Sequence, residues 1–346
     1  MAIPFKNPRP NYKYVVDEEK LAIMNLFTER HVPTTAPGKL LLASWNIANL
    51  GVQKRWPEAL ELIVHILSRF DLIAVQEIND RYKAFTEVIK NMGSDFDYIM
   101  SDPAGNDERL GYIYRKKKVI PANLFAELAL RPREYPKRTV YVKWVDKKKQ
   151  NCVEVYRDLK FEPFDRNPYI GSFKVGSLSF TLVNVHLYFG EYQNSRKVEE
   201  RAKYARRVLE IYALSKWADR RFDKHTVYDK DIILLGDMNV PAMSETEGTY
   251  KALIKFGWKT LDYVTRTAGS NLGNDKTYDQ MVFAPGDIAQ RITNFGVFDY
   301  DNAIFRDEWN TLESNYRRSA AISKFNALVK HHISDHRPIW IELNVN

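Results

Sequence analysis

Short apolar runs alternate with stretches of helical period along most of the chain. LLLASWN (40–46) precedes a helical pattern over Pro57–Arg69, and DLIAVQE (71–77) precedes another near Tyr82–Asn91; this alternation predicts β and α elements in turn through the first half. Around GYIYR (111–115), TVYVKW (139–144) and SLSFTLVNVHL (177–187) strand patterns follow one another with little helix between them, which predicts antiparallel pairing. Val198, Ala202, Ala205, Leu209 and Tyr212 then recur at helical spacing, one face of a long amphipathic helix. DIILLGDMN (231–239), TYDQMVF (277–283) and HRPIWIELNV (336–345) read as further strands, the last with Ile339, Ile341, Leu343 and Val345 on one face. Residues 1–38 read as an N-terminal extension, with a helix over Asp17–His31 carrying Ile23, Leu26 and Phe27 and a linker from Pro33 to Gly38.

Composition narrows the class. With 45% hydrophobic and 28% charged residues the 346-residue chain can bury a large core, which excludes a mainly disordered or collagen-like protein. Cys152 stands alone, so neither a disulfide framework nor a cysteine-based zinc site can form within the chain. The first twenty residues lack an apolar leader and no run is long enough to span a bilayer; these features predict a cytoplasmic protein with no membrane association. The net charge of +8 is concentrated: twelve Lys and Arg fall between Arg115 and Lys149 against Glu127, Glu134 and Asp146. Such a block favours a polyanionic partner such as nucleic acid, and nothing in the sequence identifies a protein partner.

Polar residues with acid-base or metal-binding capacity end the apolar strands, where a strand has no need of them. Asn46 ends LLASWN, Glu77 ends LIAVQE, His186 nearly ends TLVNVHL, and Asp237 with Asn239 ends IILLGDMN. Strand ends converging on one sheet edge are a usual place for a site. Side chains alternate along a strand, so Asn184 and His186 share a side, as do Asp237 and Asn239.

The ordered series WNIAN, QE (76–77), NVH (184–186), GDMN (236–239), YDQ (278–280) and SDH (334–336) resembles the endonuclease/exonuclease/phosphatase superfamily, in particular its deoxyribonuclease I-like members. The resemblance spans Asn46–His336 and implies an α/β fold: a four-layer sandwich, two mixed β-sheets packed face to face with helices outside, forming one catalytic domain over residues 39–346. It also implies phosphodiester hydrolysis with Mg²⁺ or Mn²⁺. Glu77 matches the family's metal ligand, with Asp335 and Asn46 completing or supporting the site, and hard oxygen ligands suit such an ion. His336 matches a histidine that contacts the scissile phosphate, and Asp279 the aspartate that orients it. Asp237 and Asn239 match the pair that positions or deprotonates the attacking water.

Further matches and departures bear on substrate. His186 occupies the place of a second catalytic histidine in deoxyribonuclease I-like enzymes, and NDERLGYIYR (106–115) offers Glu108 as its partner. The lysine that abasic-site enzymes carry after QE is absent here, Val240-Pro241 replaces the Tyr-Arg typical of inositol phosphatases after GD-N, and no long apolar hairpin of the sphingomyelinase kind stands out. Arg109, Arg138 and Tyr188 are candidate phosphate contacts, with Arg81 and Lys137 close by. The expectation is a nuclease, both endonuclease and exonuclease action being open, that hydrolyses DNA with little sequence specificity. The alternative is a phosphatase or lipid phosphodiesterase on the same fold. Because the basic segment directly follows the strand that begins near Glu108, part of it is expected to border the catalytic edge. The other histidines, His31, His65, His225, His331 and His332, are assigned to surface or core.

Overall fold

The computed structural model describes residues 3–79, 81–189, 197–222, 230–262, 269–284 and 286–346; His225 lies outside them. Helix α1 (Val16–Glu29) leads into β1 (Lys39–Leu50), α2 (Pro57–Leu67), β2 (Leu72–Asn79), α3 (Lys83–Met92), β3 (Phe96–Met100), β4 (Glu108–Arg115) and β5 (Ile120–Glu127). A hairpin of β6 (Lys137–Val145) and β7 (Asn151–Lys160) precedes β8 (Tyr169–Val175), β9 (Leu178–His186), α4 (Val198–Phe222) and β10 (Ile232–Asp237). Then come α5 (Gly248–Leu253), β11 (Lys259–Thr260), β12 (Asp279–Phe283), α6 (Asp287–Gln290), β13 (Ile292–Val297), α7 (Arg306–Asn315), α8 (Arg318–His332) and β14 (Ile339–Asn344).

The strands form two six-stranded mixed sheets, ordered β13-β14-β1-β2-β4-β3 and β11-β12-β10-β9-β8-β5, with β6-β7 apart as a third, two-stranded sheet. Three apolar layers follow from the period-two alternation. Leu40, Leu42, Ile341 and Leu343 meet Phe173, Phe180, Ile233 and Met281 between the sheets. On the outer face of the first sheet Leu41, Ala43, Ile73 and Val75 pack with Ile63, Phe85, Leu328 and, from α1, Ile23, Leu26 and Phe27. On the outer face of the second, Val183, Val185 and Leu234 pack with Leu209 and Leu214 of α4. The expected four-layer α/β sandwich is therefore the architecture of the chain, and the Ile339–Val345 stripe faces the inter-sheet layer as its alternation requires.

Topology decides where the chemistry can gather. β1 runs parallel to β2 and β9 parallel to β10, so in each sheet two strands deliver their C-terminal ends to one edge. A polar bridge ties these ends across the sheets: Gln76 Nε2 donates to Asn184 Oδ1 at 2.6 Å, and Asn184 Nδ2 donates to the carbonyls of Val75 and Gly111. Tyr112, fully buried, accepts from the Asn184 N–H at 3.1 Å and donates to the Tyr169 carbonyl at 2.6 Å. Buried polar groups satisfied in this way fix a register that apolar packing alone leaves free to slide.

The basic segment is split by the same topology. β4 pairs antiparallel with β2, placing Glu108 opposite Asn79 at the catalytic edge but Tyr114 opposite Leu72 at the other. Lys117 and Lys118 therefore lie at the far end, where Lys118 pairs with buried Asp71 and Lys117 with Asp95. This beginning of the segment does not border the catalytic edge, because a strand that starts at an edge must finish away from it, so the expectation that part of the segment lies there rests on its remainder.

Candidate active site

Asp237 occupies the centre. Its β10 register sets it beside His186 of β9 on one side and Asp279 of β12 on the other. The preceding Gly236 makes this pairing possible: at φ 131° its backbone passes so close to β9 that a Cβ would stand 2.1 Å from the Val185 carbonyl oxygen. After Asp237 the chain turns sharply. Asn239 adopts a left-handed φ of 52°, its N–H donates to Asp237 Oδ1 at 2.9 Å, and its Nδ2 donates to the Leu187 carbonyl at 3.0 Å.

Two carboxylate–imidazole pairs flank this aspartate. His336 Nδ1 meets Asp279 Oδ2 at 2.8 Å, and its Nε2 lies 3.6 Å from Asp237 Oδ2. His186 mirrors it, with Nδ1 3.0 Å from Glu108 Oε2 and Nε2 3.7 Å from the same Asp237 oxygen. Burial works against charge on both rings, but the surrounding carboxylates outweigh it: Asp279, Asp237 and Asp335 raise His336 well above its ordinary pKa, and Glu108 and Asp237 raise His186 against the opposing charge of Arg166. Burial likewise resists ionisation of Glu108, yet His186 and Arg166 hold its carboxyl down at about 2.

Glu77 sits where the ladder breaks. The pairing of β2 with β1 shifts after Asn46 and with β4 after Val75, and Glu77 takes a left-handed φ of 61°. Such bulges re-aim a side chain. Here the turn brings Oε2 to the Asn49 N–H at 2.7 Å and Oε1 to Asn46 Nδ2 at 2.9 Å. Asn46 Nδ2 also reaches Asp237 Oδ2 at 3.1 Å, so one amide spans a carboxylate from each sheet. Asn46 Oδ1 is buried with no hydrogen-bond partner among the described residues. Burial, reinforced by the negative charges of Glu108 and Asp335, pushes the Glu77 carboxyl up against the opposing pull of His186.

The loop carrying Asp335 and His336 is pinned by Ser334, whose Oγ donates to the Asn46 carbonyl at 2.7 Å and accepts from the N–H groups of Ala48 and His336. Trp45 Nε1 holds the His336 carbonyl at 2.9 Å. Asp335 and His336 open onto a cleft of about 390 Å³ shared with Tyr278, Asn326 and Lys330.

Nine of the residues read from the sequence thus gather at one edge: Asn46, Glu77, Glu108, His186, Asp237, Asn239, Asp279, Asp335 and His336. The three expected phosphate contacts behave differently. Arg109, beside Glu108 on β4, donates to the Ser101 carbonyl at 2.8 Å and lies near the Tyr82 ring. Tyr188 follows His186 closely, its N–H bound to Glu210 and its ring covered by Arg206. Arg138 is stacked on Tyr212 of α4 at 4.1 Å and lines a cleft that includes none of those nine residues. His331 and His332 are core residues as expected, His332 lying among Tyr12, Tyr14, Trp56 and Phe305.

Arg166 carries no signal in the sequence that marks it for the site. Almost wholly buried, it donates from Nε to the His186 carbonyl at 2.9 Å and from Nη2 to the Leu187 carbonyl at 3.2 Å, and its Nη1 stands 3.5 Å from Glu108 Oε2. It is the positioning residue for the Glu108–His186 pair. Arg166→Met should destabilise the fold by about 2–4 kcal/mol, since it strips the buried His186 and Leu187 carbonyls of their donor and leaves Glu108 with His186 alone. Urea unfolding checks this, and a loss below about 1 kcal/mol would mean that water can replace the guanidinium.

No family model matches the chain. It is 28% identical over 218 residues to a deoxyribonuclease of Thioalkalivibrio sp. (strain K90mix), a match covering 61% of this chain and 49% of that one, so the shared stretch spans about half the relative's length. Among solved structures it is similar to an endonuclease/exonuclease/phosphatase family protein of Bacteroides thetaiotaomicron, at 16% identity and a TM-score of 0.47 over 88% of this chain and 94% of that one. It is also similar to a mannosyl-6-phosphatase of the same species (15%, TM-score 0.46, 88% and 99%) and to D. rerio TDP2 complexed with a single-strand DNA product (13%, TM-score 0.48, 88% and 99%).

Proposed function

We propose that this chain is a divalent-metal-dependent phosphodiesterase whose substrate is nucleic acid, DNA foremost, cleaved with little sequence specificity. The observation that carries the reading is the pair of carboxylate–imidazole units aimed from opposite sides at one aspartate oxygen. Hydrolysis at phosphorus needs donors for the charge growing on the phosphoryl oxygens, a base for the attacking water and a proton for the leaving oxygen. With Nδ1 beside a carboxylate, each imidazole turns Nε2 toward the centre, and the surrounding carboxylates favour the protonated ring, the form in which Nε2 carries a proton to donate. Asp237, deprotonated between them, is the acceptor for the water proton. Asn239 locks the carboxylate through its own N–H, so the carboxylate does not reorganise as the proton moves.

Glu77 and Asn46 fit a hard cation. One presents a carboxyl pushed up by desolvation and neighbouring negative charge, the other a buried amide oxygen without a partner among the described residues, and Asp335 bears electrostatically on the same place. These three would hold Mg²⁺ or Mn²⁺, which when bound neutralises charge on the phosphoryl group. Ligand atoms of Asp237, Asp279 and His336 also lie within 4.8 Å of one another, but His336 Nδ1 is already committed to Asp279.

The test is purified protein with Mg²⁺ or Mn²⁺ against supercoiled plasmid, linear duplex, single strands, RNA, a phosphomonoester and phosphoinositide in parallel. Cleavage of nucleic acid, abolished by chelator and restored by either ion, is expected. Preferential turnover of the phosphomonoester or phosphoinositide would overturn the substrate assignment and leave the hydrolytic site intact.

A further inference from the structure

The β6-β7 hairpin belongs to neither sheet, and its placement is specific. At its base Arg138 lies on Tyr212; near its tip Trp144 and Glu154 clasp Arg201, the one by its ring and the other by an ion pair. Tyr212 and Arg201 are eleven residues apart on α4, about 16 Å along the helix, comparable with the about 20 Å of an extended strand from Arg138 to Trp144, which a bulge between Arg138 and Val140 shortens. The hairpin therefore lies along α4 with its tip toward the N-terminal turn. Because α4 connects the parallel strands β9 and β10 and returns from the end of β9, that turn is at the catalytic edge. Lys147, Lys148 and Lys149 follow β6 at the tip.

Between β6 and α5, floored by α4, runs a groove of about 560 Å³, within the range of ligand sites. Arg138 and Lys143 stand on one wall and Lys251 and Lys255 on the other, while Glu245 is the one acid in its lining. Tyr212, under Arg138, is part of the lining, and Tyr141 adds a ring that is 63% exposed. Glu245 and Thr246 belong to the short segment that leaves Asn239, so the groove begins beside the chain that carries the proposed water-positioning pair.

We infer that this groove binds one strand of nucleic acid and leads it to or from the catalytic edge. The inference rests on the proposed nuclease reading and deepens it by naming the track the strand follows. Cations on both walls suit phosphates running along the groove, and the exposed ring of Tyr141 offers a base-stacking face that tolerates any sequence. A duplex presents its phosphates on a convex surface too broad for a groove walled on both sides, whereas an unpaired strand can enter it.

The experiment uses fluorescence anisotropy with a labelled oligothymidylate, the full-length protein carrying His336→Ala to prevent cleavage. In that background Lys143→Glu with Lys255→Glu, both exposed and remote from the proposed catalytic residues, should weaken binding on the order of 10- to 100-fold. It should also flatten the dependence of log K on log salt by about 1.4, about 0.7 for each phosphate that no longer meets a cation. Lys117→Glu with Lys116→Glu, at the opposite end of the sheet, serves as the control and should change the slope little. With His336 restored, the groove variant should hydrolyse bis(p-nitrophenyl) phosphate at the unmodified rate. Unchanged oligothymidylate affinity and slope would overturn the groove while leaving hydrolysis of the small diester to support the catalytic reading. Failure of the unmodified protein to hydrolyse any diester would instead overturn the reading on which the groove depends. Tighter binding of duplex than of single strand, or loss of binding to phosphatidylserine vesicles with oligothymidylate affinity unchanged, would assign the groove to another partner and overturn the inference.

Discussion

His336→Ala should lower turnover of a phosphodiester by about a thousandfold or more, and adding Asp279→Asn to it should lower turnover hardly further. The two residues share one hydrogen bond of 2.8 Å, Asp279 is fully buried beneath the ring, and no other described carboxylate meets His336 Nδ1. Asp279 acts through His336: it fixes which nitrogen faces the centre and favours the protonated ring. Once the imidazole is gone, the aspartate has nothing left to orient. Asp279→Asn alone should cost about 10²–10³, because the amide keeps the geometry but removes the charge that holds the proton. The measurement is a double-mutant cycle on kcat/KM with a small diester, alongside far-UV circular dichroism to confirm folding. A double mutant whose loss equals the product of the single losses would show that the two side chains work independently. An Asp279→Asn variant whose pH profile matches the unmodified protein would show that the aspartate does not set the protonation of His336.

The catalytic edge is legible in the sequence because of how buried parallel strands are written. Covered on both faces, they read as continuous apolar runs, and a polar residue ending such a run is conspicuous. Asn46, Glu77, His186 and Asp237 each stand out this way. What joins them is less visible. Arg166 is a single arginine before a strand, and its bonds to the His186 and Leu187 carbonyls exist only after β8 and β9 have paired. The pairing of Glu108 with His186 follows only from family resemblance, since no local pattern relates residues on different sheets.

Elsewhere the pattern misleads or falls silent. In NCVEVYRDLK apolar and polar residues alternate, but β7 turns Val153 and Val155 outward, 56% and 40% exposed, and Cys152, Glu154 and Tyr156 inward. The inward face packs on α4, where Arg201 receives Glu154, so the rule that the apolar face is buried gives the wrong side. β5 carries Pro121 and packs at the edge of its sheet, and it lacks the alternation that a strand buried on one face displays. α8 does carry a helical stripe, Ala321, Phe325 and Leu328, all buried, but small and polar residues interrupt it and leave Ile322 40% exposed, so it does not stand out in the sequence. A charge count likewise treats Arg115–Lys149 as one block, whereas strand direction sends its two ends to opposite sides of the molecule.

Glu77→Gln should abolish both turnover and metal-dependent stabilisation while leaving the apo-protein at least as stable as before. In the folded chain the carboxyl at 77 is half-buried and faces the negative charges of Glu108 and Asp335, and desolvation and those charges together raise the cost of its ionised form, which a cation would relieve. Glutamine has nearly the same shape, and its amide oxygen can still accept from the Asn49 N–H or from Asn46 Nδ2, but it carries no charge for the ion to neutralise. The unmodified protein should gain stability on adding Mg²⁺ by mass action, about 2.7 kcal/mol when the ion is at one hundred times its dissociation constant. The Glu77→Gln variant should gain almost none over the same titration, and its turnover should fall by about a thousandfold even at high Mg²⁺. Asn46→Asp supplies the complementary result. It replaces the donor that now spans Glu77 and Asp237 with a third acceptor, so the apo-protein should lose several kcal/mol on the order expected for an unpaired buried charge. Because the new charge lies beside Glu77, Mg²⁺ should restore more stability to this variant than to the unmodified protein. Thermal melts with and without chelator read all three proteins directly. Full activity in excess chelator, or equal stabilisation by Mg²⁺ with and without the Glu77 carboxylate, would remove the metal from this edge and leave the two imidazoles to balance the phosphoryl charge alone.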